Sequence, residues 1–380
     1  MSLLFADRDW DYLVKKTRTK WVSKNAFGKT LATEPTSTGL QSLLNAVLTE
    51  KGDTPGLVKI STNGEVMNID GPVYVPSRTT IQGEGQNQIT RIQLEAASDC
   101  HMFEPLGGSG VADNIANVFF KDLNIDGNDA NQGAGNYDCI SWDIDDAGYG
   151  PGSGNFRMLA LDNCKVDNGK RYNILARTDG DYVGESGATI MLNEIKSYSA
   201  GGIEIYMDRI FDGSMRHIQV GEMYLQGVDS IQIEDVYVAG AHSPNLHLKA
   251  CEELILTDVR SDNSSGKSVL VEDCKWVKFN GLSVTNLNEF ATDDNWNGIE
   301  IDNSDQTQFY GLDFVKNPTE TAIDYEYGIQ ELNSTTNTLV CGANFSDACQ
   351  TAEIDELDPD SVWANCYYVT GAALTAARIV

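Results

Sequence analysis

A six-residue pattern recurs along the middle of this chain: apolar, any residue, a small polar or acidic residue, apolar, any residue, apolar. It reads FKDLNI from Phe120, LDNCKV from Leu161, LNEIKS from Leu192, VGEMYL from Val220, IEDVYV from Ile233, LTDVRS from Leu256, FNGLSV from Phe279 and FYGLDF from Phe309. A second pattern, apolar-x-apolar after a turn residue, interleaves with it from Ile140, Ile203, Leu246, Val269, Ile299 and Ile323, with a poorer copy at Ile174. Asp235, Asp258 and Gly281 are 23 residues apart, and Gly311 follows after 30. Two alternating strand ladders at this period are the mark of a chain that coils and stacks on itself. The period is too short for a propeller blade and suits one turn of a parallel β-helix. No single coil has enough apolar residues to bury its own face, so stacked coils share one core with strands about 4.8 Å apart. Over residues 115–330 this predicts about eight coils and a rod about 40 Å long. Ile203 and Ile205 are expected to point inward, and Glu204 and Tyr206 outward.

Composition narrows the function. The chain has 380 residues and a formal charge of −29, from 27 Lys and Arg against 56 Asp and Glu. That charge repels phosphate backbones and argues against nucleic-acid binding. It fits a halophilic protein or a solvated acidic face, and both readings stay open. No run reaches the ~20 apolar residues of a membrane helix, so no membrane insertion is expected. The start, MSLLFADRDWDY, lacks the basic and apolar regions of a secretory signal. Residues 1–30 hold seven basic residues, with Trp10, Tyr12, Trp21 and Phe27 among them, on an otherwise acidic chain. Such a segment reads either as an attachment arm or as a cap folded over the end of the coil. None of the eight Cys forms a CxxC pair, which argues against structural zinc. Cys251 and Cys274, one period apart, are expected to stack as thiols, whereas a disulfide is more plausible among Cys341, Cys349 and Cys366.

Along the chain, 1–37 reads as the arm, 38–114 as a helix and first coils, 115–330 as the coil body, and 331–380 as a C-terminal cap or oligomerisation segment. Leu40, Leu43, Leu44, Val47 and Leu48 have helical spacing over Thr38–Thr49, with Ser37 or Thr38 as N-cap. The stretch GLQSLLNAVLTEKGDTPGLVKISTNGEVMNIDGPVYVPSRTTIQGEGQNQITRIQL resembles the opening of the pectate-lyase-like superfamily of right-handed β-helix proteins. The resemblance lies in the strand Gly71–Ser77, the turn Gly83–Gly85 and the strand Ile92–Leu94, with DLNIDGN from Asp122 in keeping, and it extends over about residues 38–330. It implies an all-β, right-handed parallel β-helix (solenoid) with an N-terminal capping helix. It specifies a fold and no reaction.

The outward positions of the second ladder are the candidate site: Ser141 and Asp143, Arg177, Glu204 and Tyr206, His247 and Lys249, Glu272, Glu300 and Asp302, Asp324 and Glu326. A polar and aromatic column on a rod matches an extended polysaccharide, and the resemblance implies glycan binding along such a face. Tyr206, His247, Glu272, Glu300 and Asp302 are the expected glycan contacts. A solvated sheet face is the plainer alternative. If Ile231 followed Ile203 in one ladder, Glu204 and Glu234 would lie diagonally about 8 Å apart, within the 6.5–9.5 Å that inverting hydrolysis needs. Elimination from a uronic acid needs a base and a cation, for which Arg177, Lys249, His247 and Tyr206 are the right types. Catalytic candidates are therefore Glu204, Glu234, Arg177 and Lys249. The hydrolase motifs NTD, GHG and RIK, and the Asp-Pro-His pattern of the epimerase branch, are absent. No cofactor is indicated. Asp122, Asn124, Asp126 and Gly127 imitate an EF-hand opening, but Gly133 stands where its final Glu belongs. Calcium held by the carboxylates of Asp143, Asp145 and Asp146 stays open as an alternative, without support from spacing.

Three functions fit. The first is a tailspike-like or receptor-binding protein of a virion surface, recognising a host polysaccharide or glycoprotein and held to other virion proteins through residues 1–37. Viral spikes of similar architecture are homotrimers, which would bury outward apolar residues such as Leu175 and Leu270. The second is a secreted polysaccharide lyase or glycoside hydrolase. The third is a non-catalytic structural β-helix or adhesin. All three place the protein outside the cell or on a virion.

Overall fold

A computed structural model describes residues 10–36, 38–85, 90–106, 117–143, 157–178, 188–285, 296–315, 325–345, 349–355, 360–364, 366–370 and 373–376. Asp145, Asp146, Ile323 and Asp324 lie outside these residues, as do 1–9 and 377–380. The chain divides into two compact units, Met1–Glu204 and Ile205–Val380. Both are built almost wholly of parallel strands.

In the first unit, one parallel ladder runs through Gly56–Ser61, Thr79–Gln82, Val118–Lys121, Met158–Asp162 and Thr189–Ser197. A companion column runs through Val66–Ile69, Arg91–Leu94, Asn124–Asp126 and Lys165–Asp167. The second ladder is Val73–Val75, Phe103–Pro105, Ile140–Asp143 and Tyr172–Arg177. Ile81, Phe120 and Leu161 stack inward on one column, and Ile92, Ile125 and Val166 on the next, all buried.

Residues 12–34, read from sequence as part of an arm, are sheet. Tyr12–Lys16, Trp21–Asn25 and Thr30–Glu34 form an antiparallel meander, and its first strand pairs in parallel with Gly56–Ser61. Val14, Trp21 and Val22 are buried, whereas Phe27 at the second turn is 85% exposed. The single α-helix of the described residues, α1 (Gln41–Lys51), packs Leu43, Leu44, Val47 and Leu48 against these strands and Val73–Val75. Its N-cap is Leu40, not Ser37 or Thr38, and no side chain caps it. A neighbouring coil supplies the acceptors instead: the Gly39 amide donates to Glu95 Oε1 (2.7 Å) and the Leu40 amide to the Asn68 carbonyl (2.9 Å). At the other end the Lys51 amine is buried, donating to the carbonyls of Gly52 and Ser77 at 3.0 Å each. Burial pulls its pKa down to about 8.

In the second unit the first ladder is Phe211–Val220, Asp229–Ala239, Ile255–Asp262, Lys278–Thr285 and Gln308–Val315, continued by Leu339–Cys341 and Val362–Ala364. The coil therefore runs past residue 330, where the sequence pattern fades. The second ladder starts in the strand Ile203–Asp208 at Ile205 and proceeds through Met223–Gln226, Leu246–Lys249, Val269–Glu272, Ile299–Asp302 and Tyr325–Leu332.

The third position of the hexapeptide has a backbone cause. Asp122, Asn163, Glu194, Asp235 and Asp258 have φ between 52° and 56°, and Gly281 and Gly311 have 79° and 70°. Each is a left-handed bend that turns the strand while the apolar residues on both sides stay inward. Asn, Asp and Gly adopt this region at least cost. The bends also bond along the stack, as where Asn163 Nδ2 and Gln82 Nε2 donate to Asp122 at 2.6 and 3.0 Å.

One copy of the pattern was misread. Val220 ends a first-ladder strand, but Met223, Tyr224 and Leu225 lie in the second ladder. The true first-ladder copy is MRHIQV, with Met215 opposite Ile233 and the left-handed bend at His217. This removes the anomalous spacing of 13 between the VGEMYL and IEDVYV copies.

Candidate functional site

In the second unit the outward positions of the second ladder make two rows. One is Tyr206, Tyr224, His247, Leu270, Glu300 and Gln330; the other is Asp208, Gln226, Lys249, Glu272 and Asp302. They form because inward Ile205, Met223, Leu246 and Val269 alternate with them on short parallel strands.

Three rings stack on consecutive coils. Tyr206 and Tyr224 meet edge to face at 5.1 Å, and Tyr224 lies parallel to His247 at 4.3 Å. Both tyrosine hydroxyls donate to Gln226 Oε1, at 3.3 and 3.1 Å. Only the Tyr224 and His247 faces cover one another; Tyr206 meets Tyr224 edge to face. Beside them, His247 Nε2 is 3.0 Å from Glu272 Oε2, and Lys249 Nζ donates to Glu272 Oε1 at 2.8 Å. Further along, Lys267 Nζ and Asn297 Nδ2 donate to the two oxygens of Glu300 at 2.6 and 3.3 Å. Asn333 holds Asp302.

The charge states differ across this row. Burial lowers the pKa of His247 below its ordinary value, and the cations Lys249 and Lys267 act in the same sense; together they outweigh Glu272. Burial opposes ionisation of Glu272, but its bonds from Lys249 and His247 prevail and hold it below the usual carboxylate range. The shifts are not mirror images, because Glu272 is paired with a permanent cation and His247 is not. At neutral pH the row holds a neutral imidazole donating to a carboxylate, with a lysine alongside. Burial also raises the Tyr224 phenol, so it stays a hydroxyl.

Tyr206, His247, Lys249 and Glu272 thus come together, with Glu300 and Asp302 on the next coil. Glu204 and Glu234 do not make a pair. Tyr206 registers with Tyr224, not with Glu234. Glu234 sits in the first ladder opposite Arg216 and Thr257, its carboxylate 3.3 Å from the Arg216 guanidinium. Glu204 is 2% exposed in the first unit, not on an open outward face as alternation predicted, and it lies before Ile205, where the paired second ladder begins. Arg177 is also in the first unit, bonded by both Nε and Nη2 to Asp143 at 2.8 and 2.6 Å. Ser141 and Leu175, expected outward, are buried.

Sequence reasoning missed Tyr224 and Gln226. The signal was present: MYLQ has the form of LHLK, VLVE and IEID, but it lay inside the misassigned copy. It also missed a cluster in the first unit, where the fully buried Asp138 carboxylate accepts from Arg171 Nε and Nη2 at 3.0 and 2.6 Å beside His101. Among the described residues no group of three or more His, Cys, Asp or Glu is placed to hold a metal ion. Cys251 and Cys274 stack as buried free thiols, with the Cys251 amide 3.4 Å from Cys274 Sγ. Cys341 and Cys366 are also free thiols.

No protein-family profile and no curated protein matches this sequence. Solved structures do match. The A-module of the mannuronan C-5 epimerase AlgE6 from Azotobacter vinelandii is 13% identical with a TM-score of 0.54, over 88% of this chain and 97% of that one. DFA-IIIase of Arthrobacter chlorophenolicus A6 is 13% identical with a TM-score of 0.52, over 90% of this chain and 95% of that one. The enzymatically active domain of bacteriophage CBA120 tailspike protein 2 is 12% identical with a TM-score of 0.56, over 80% of this chain but 44% of that one. At these identities the likeness is one of fold. The chain is a parallel β-helix, the fold it shares with these proteins.

Proposed function

We propose that this chain is a virion-surface, tailspike-like protein that recognises host-cell glycans along the second ladder of its second unit. The observation that carries the reading is the stack of Tyr206, Tyr224 and His247 on successive coils, bordered by Gln226, Lys249, Glu272, Glu300 and Asp302. Tyrosine hydroxyls, an amide, a lysine and fixed carboxylates at one-coil intervals suit the repeating hydroxyls of a polysaccharide. Fold neighbours among bacteriophage proteins and polysaccharide-acting enzymes support the ligand class. The exposed Phe27, between Lys24 and Lys29 at a hairpin tip, is the natural point of attachment to other virion proteins. The oligomer expected of such a spike is a homotrimer.

Binding is favoured over hydrolysis. Glycoside hydrolysis needs one protonated carboxyl, and Glu272 is held ionised by Lys249. A lyase is the second reading, with neutral His247 as the base and Lys249 as the cation facing a uronic acid. The test incubates the protein with host-surface polysaccharide and follows retention, ultraviolet absorbance of unsaturated sugars, and reducing ends. Retention without product is expected, weakened about tenfold or more in Tyr224→Ala. Unsaturated product lost in His247→Ala establishes the lyase. No retention, or retention untouched by Tyr224→Ala, contradicts the proposed face.

A further inference from the structure

The corner of each coil between the second and first ladders carries a left-handed residue: Ser230, Glu253, Trp276, Gln306 and Asn337, with φ between 52° and 58°. They stand in line, because the residues just before them pair in sequence, Asp229 with Glu252, Lys275, Asp305 and Thr336. Four are small or polar. Trp276 is neither, and a bulky side chain is strained in this region. The indole gains no core burial in return, being 40% exposed. The parallel row beside it is Ile255, Lys278 and Gln308, and Ile255 is 43% exposed. Between the rows lies a groove of about 360 Å³ lined by Glu253, Ile255, Trp276, Lys278, Gln306 and Gln308. Lys275 Nζ sits 4.0 Å from the indole centroid, and Lys278 Nζ 4.9 Å from the Tyr310 ring.

We infer that this groove is a second saccharide site, taking a neutral pyranose whose apolar face lies against Trp276. The groove has the composition that a sugar requires: one aromatic platform and one aliphatic wall, ringed by two carboxamides, a carboxylate and an ammonium that reach hydroxyls. Glu253 and Lys278 place one charge of each sign on its lining. Its volume fits one or two sugar rings and not a protein partner, which needs about 800 Å² per side with a contiguous apolar centre. In this unit the only other exposed large apolar residue among those described is Val362, separated from Ile255 along its row by Lys278, Gln308 and Leu339. The site stands on its own geometry and does not depend on the second-ladder reading.

The test uses Trp276→Asn, which relieves the left-handed strain and leaves the fold intact. Full-length protein is titrated with short neutral oligosaccharides of the malto, cello, chito and galacto series, following protection of tryptophan fluorescence from iodide. At least one series is expected to protect the parent saturably; affinity measured by titration calorimetry is expected to be about tenfold weaker in Trp276→Asn and unchanged in Tyr224→Ala. That separation keeps failure of this site distinct from failure of the second-ladder face. Three results overturn the proposal: no series protects, Trp276→Asn binds as the parent does, or the substitution instead abolishes self-association of the chain.

Discussion

Replacing Asp138 with alanine is expected to cost about 3 to 5 kcal/mol of stability, the usual penalty for breaking a buried ion pair. The Asp138 side chain is 0% exposed, and it accepts from Arg171 Nε and Nη2 and from the Tyr172 amide at 3.2 Å. Without it the half-buried Arg171 guanidinium, 4.7 Å over the Tyr172 ring, loses its counter-charge. His101 Nδ1 lies 3.2 Å from Asp138 Oδ2 and 3.0 Å from the Asp138 amide nitrogen. Protonated, it donates to the carboxylate; neutral, it accepts from the amide. Burial opposes the charged form of His101, but the Asp138 carboxylate prevails and raises its pKa. Burial likewise opposes ionisation of Asp138, and bonds from His101 and Arg171 lower its pKa. The signs set a pH window. The His101 contribution is full below its unfolded pKa of about 6.5 and is lost as pH rises through the raised folded value. The Asp138 contribution is full above about 3.9 and is lost as pH falls through the lowered folded value. The difference between parent and Asp138→Ala, measured by urea unfolding, should therefore be greatest between about pH 4 and 6.5. A difference that grows from pH 6 to 9 contradicts this account.

Phe279→Ala should be of similar size, about 3 to 5 kcal/mol. Phe279 stands in register with Leu256 on one side and Phe309 on the other, and both rings are fully buried. They stack at 5.0 Å and 6°. Truncating one removes its own burial and exposes the face of its partner to a cavity. A double-mutant cycle with Phe309→Ala should give a coupling of about 0.5 to 1.5 kcal/mol. Additive losses would mean that the two coils do not share this contact. Stacked coils can unfold in segments, so amide exchange of the strands Ile255–Asp262 and Gln308–Val315 should be read with the unfolding curve.

The coil was legible because its cause is local and repeats. Apolar residues stand on both sides of each left-handed bend of the hexapeptide, so Asp235, Asp258 and Gly281 announce the period. Exact registration was harder. VGEMYL satisfies the hexapeptide while crossing from one ladder to the other, and nothing in six residues marks that corner. The slip moved Tyr224 and Gln226 off the second ladder and paired Glu204 with Glu234, which the hydrogen-bonded register keeps apart. Tyr206, His247, Lys249 and Glu272 survived because each belongs to a clear apolar-x-apolar triplet. His101, Asp138 and Arg171 follow no periodicity. They sit on turns 37 and 33 residues apart in sequence, and only stacking brings them together. The helix cap failed for a related reason, since its acceptors come from Asn68 and Glu95 on other segments.

The alignment of Tyr206, Tyr224 and His247 underlies the proposed glycan face, and thiol cross-linking tests it directly. Cysteines placed at 224 and 247, on adjacent parallel strands about 4.8 Å apart, should be joined efficiently by a short bifunctional reagent, with the link located by mass spectrometry of peptides. Cysteines at 206 and 234 should not be joined. Efficient linkage of 206 to 234, with none between 224 and 247, would contradict the register and remove the face with it.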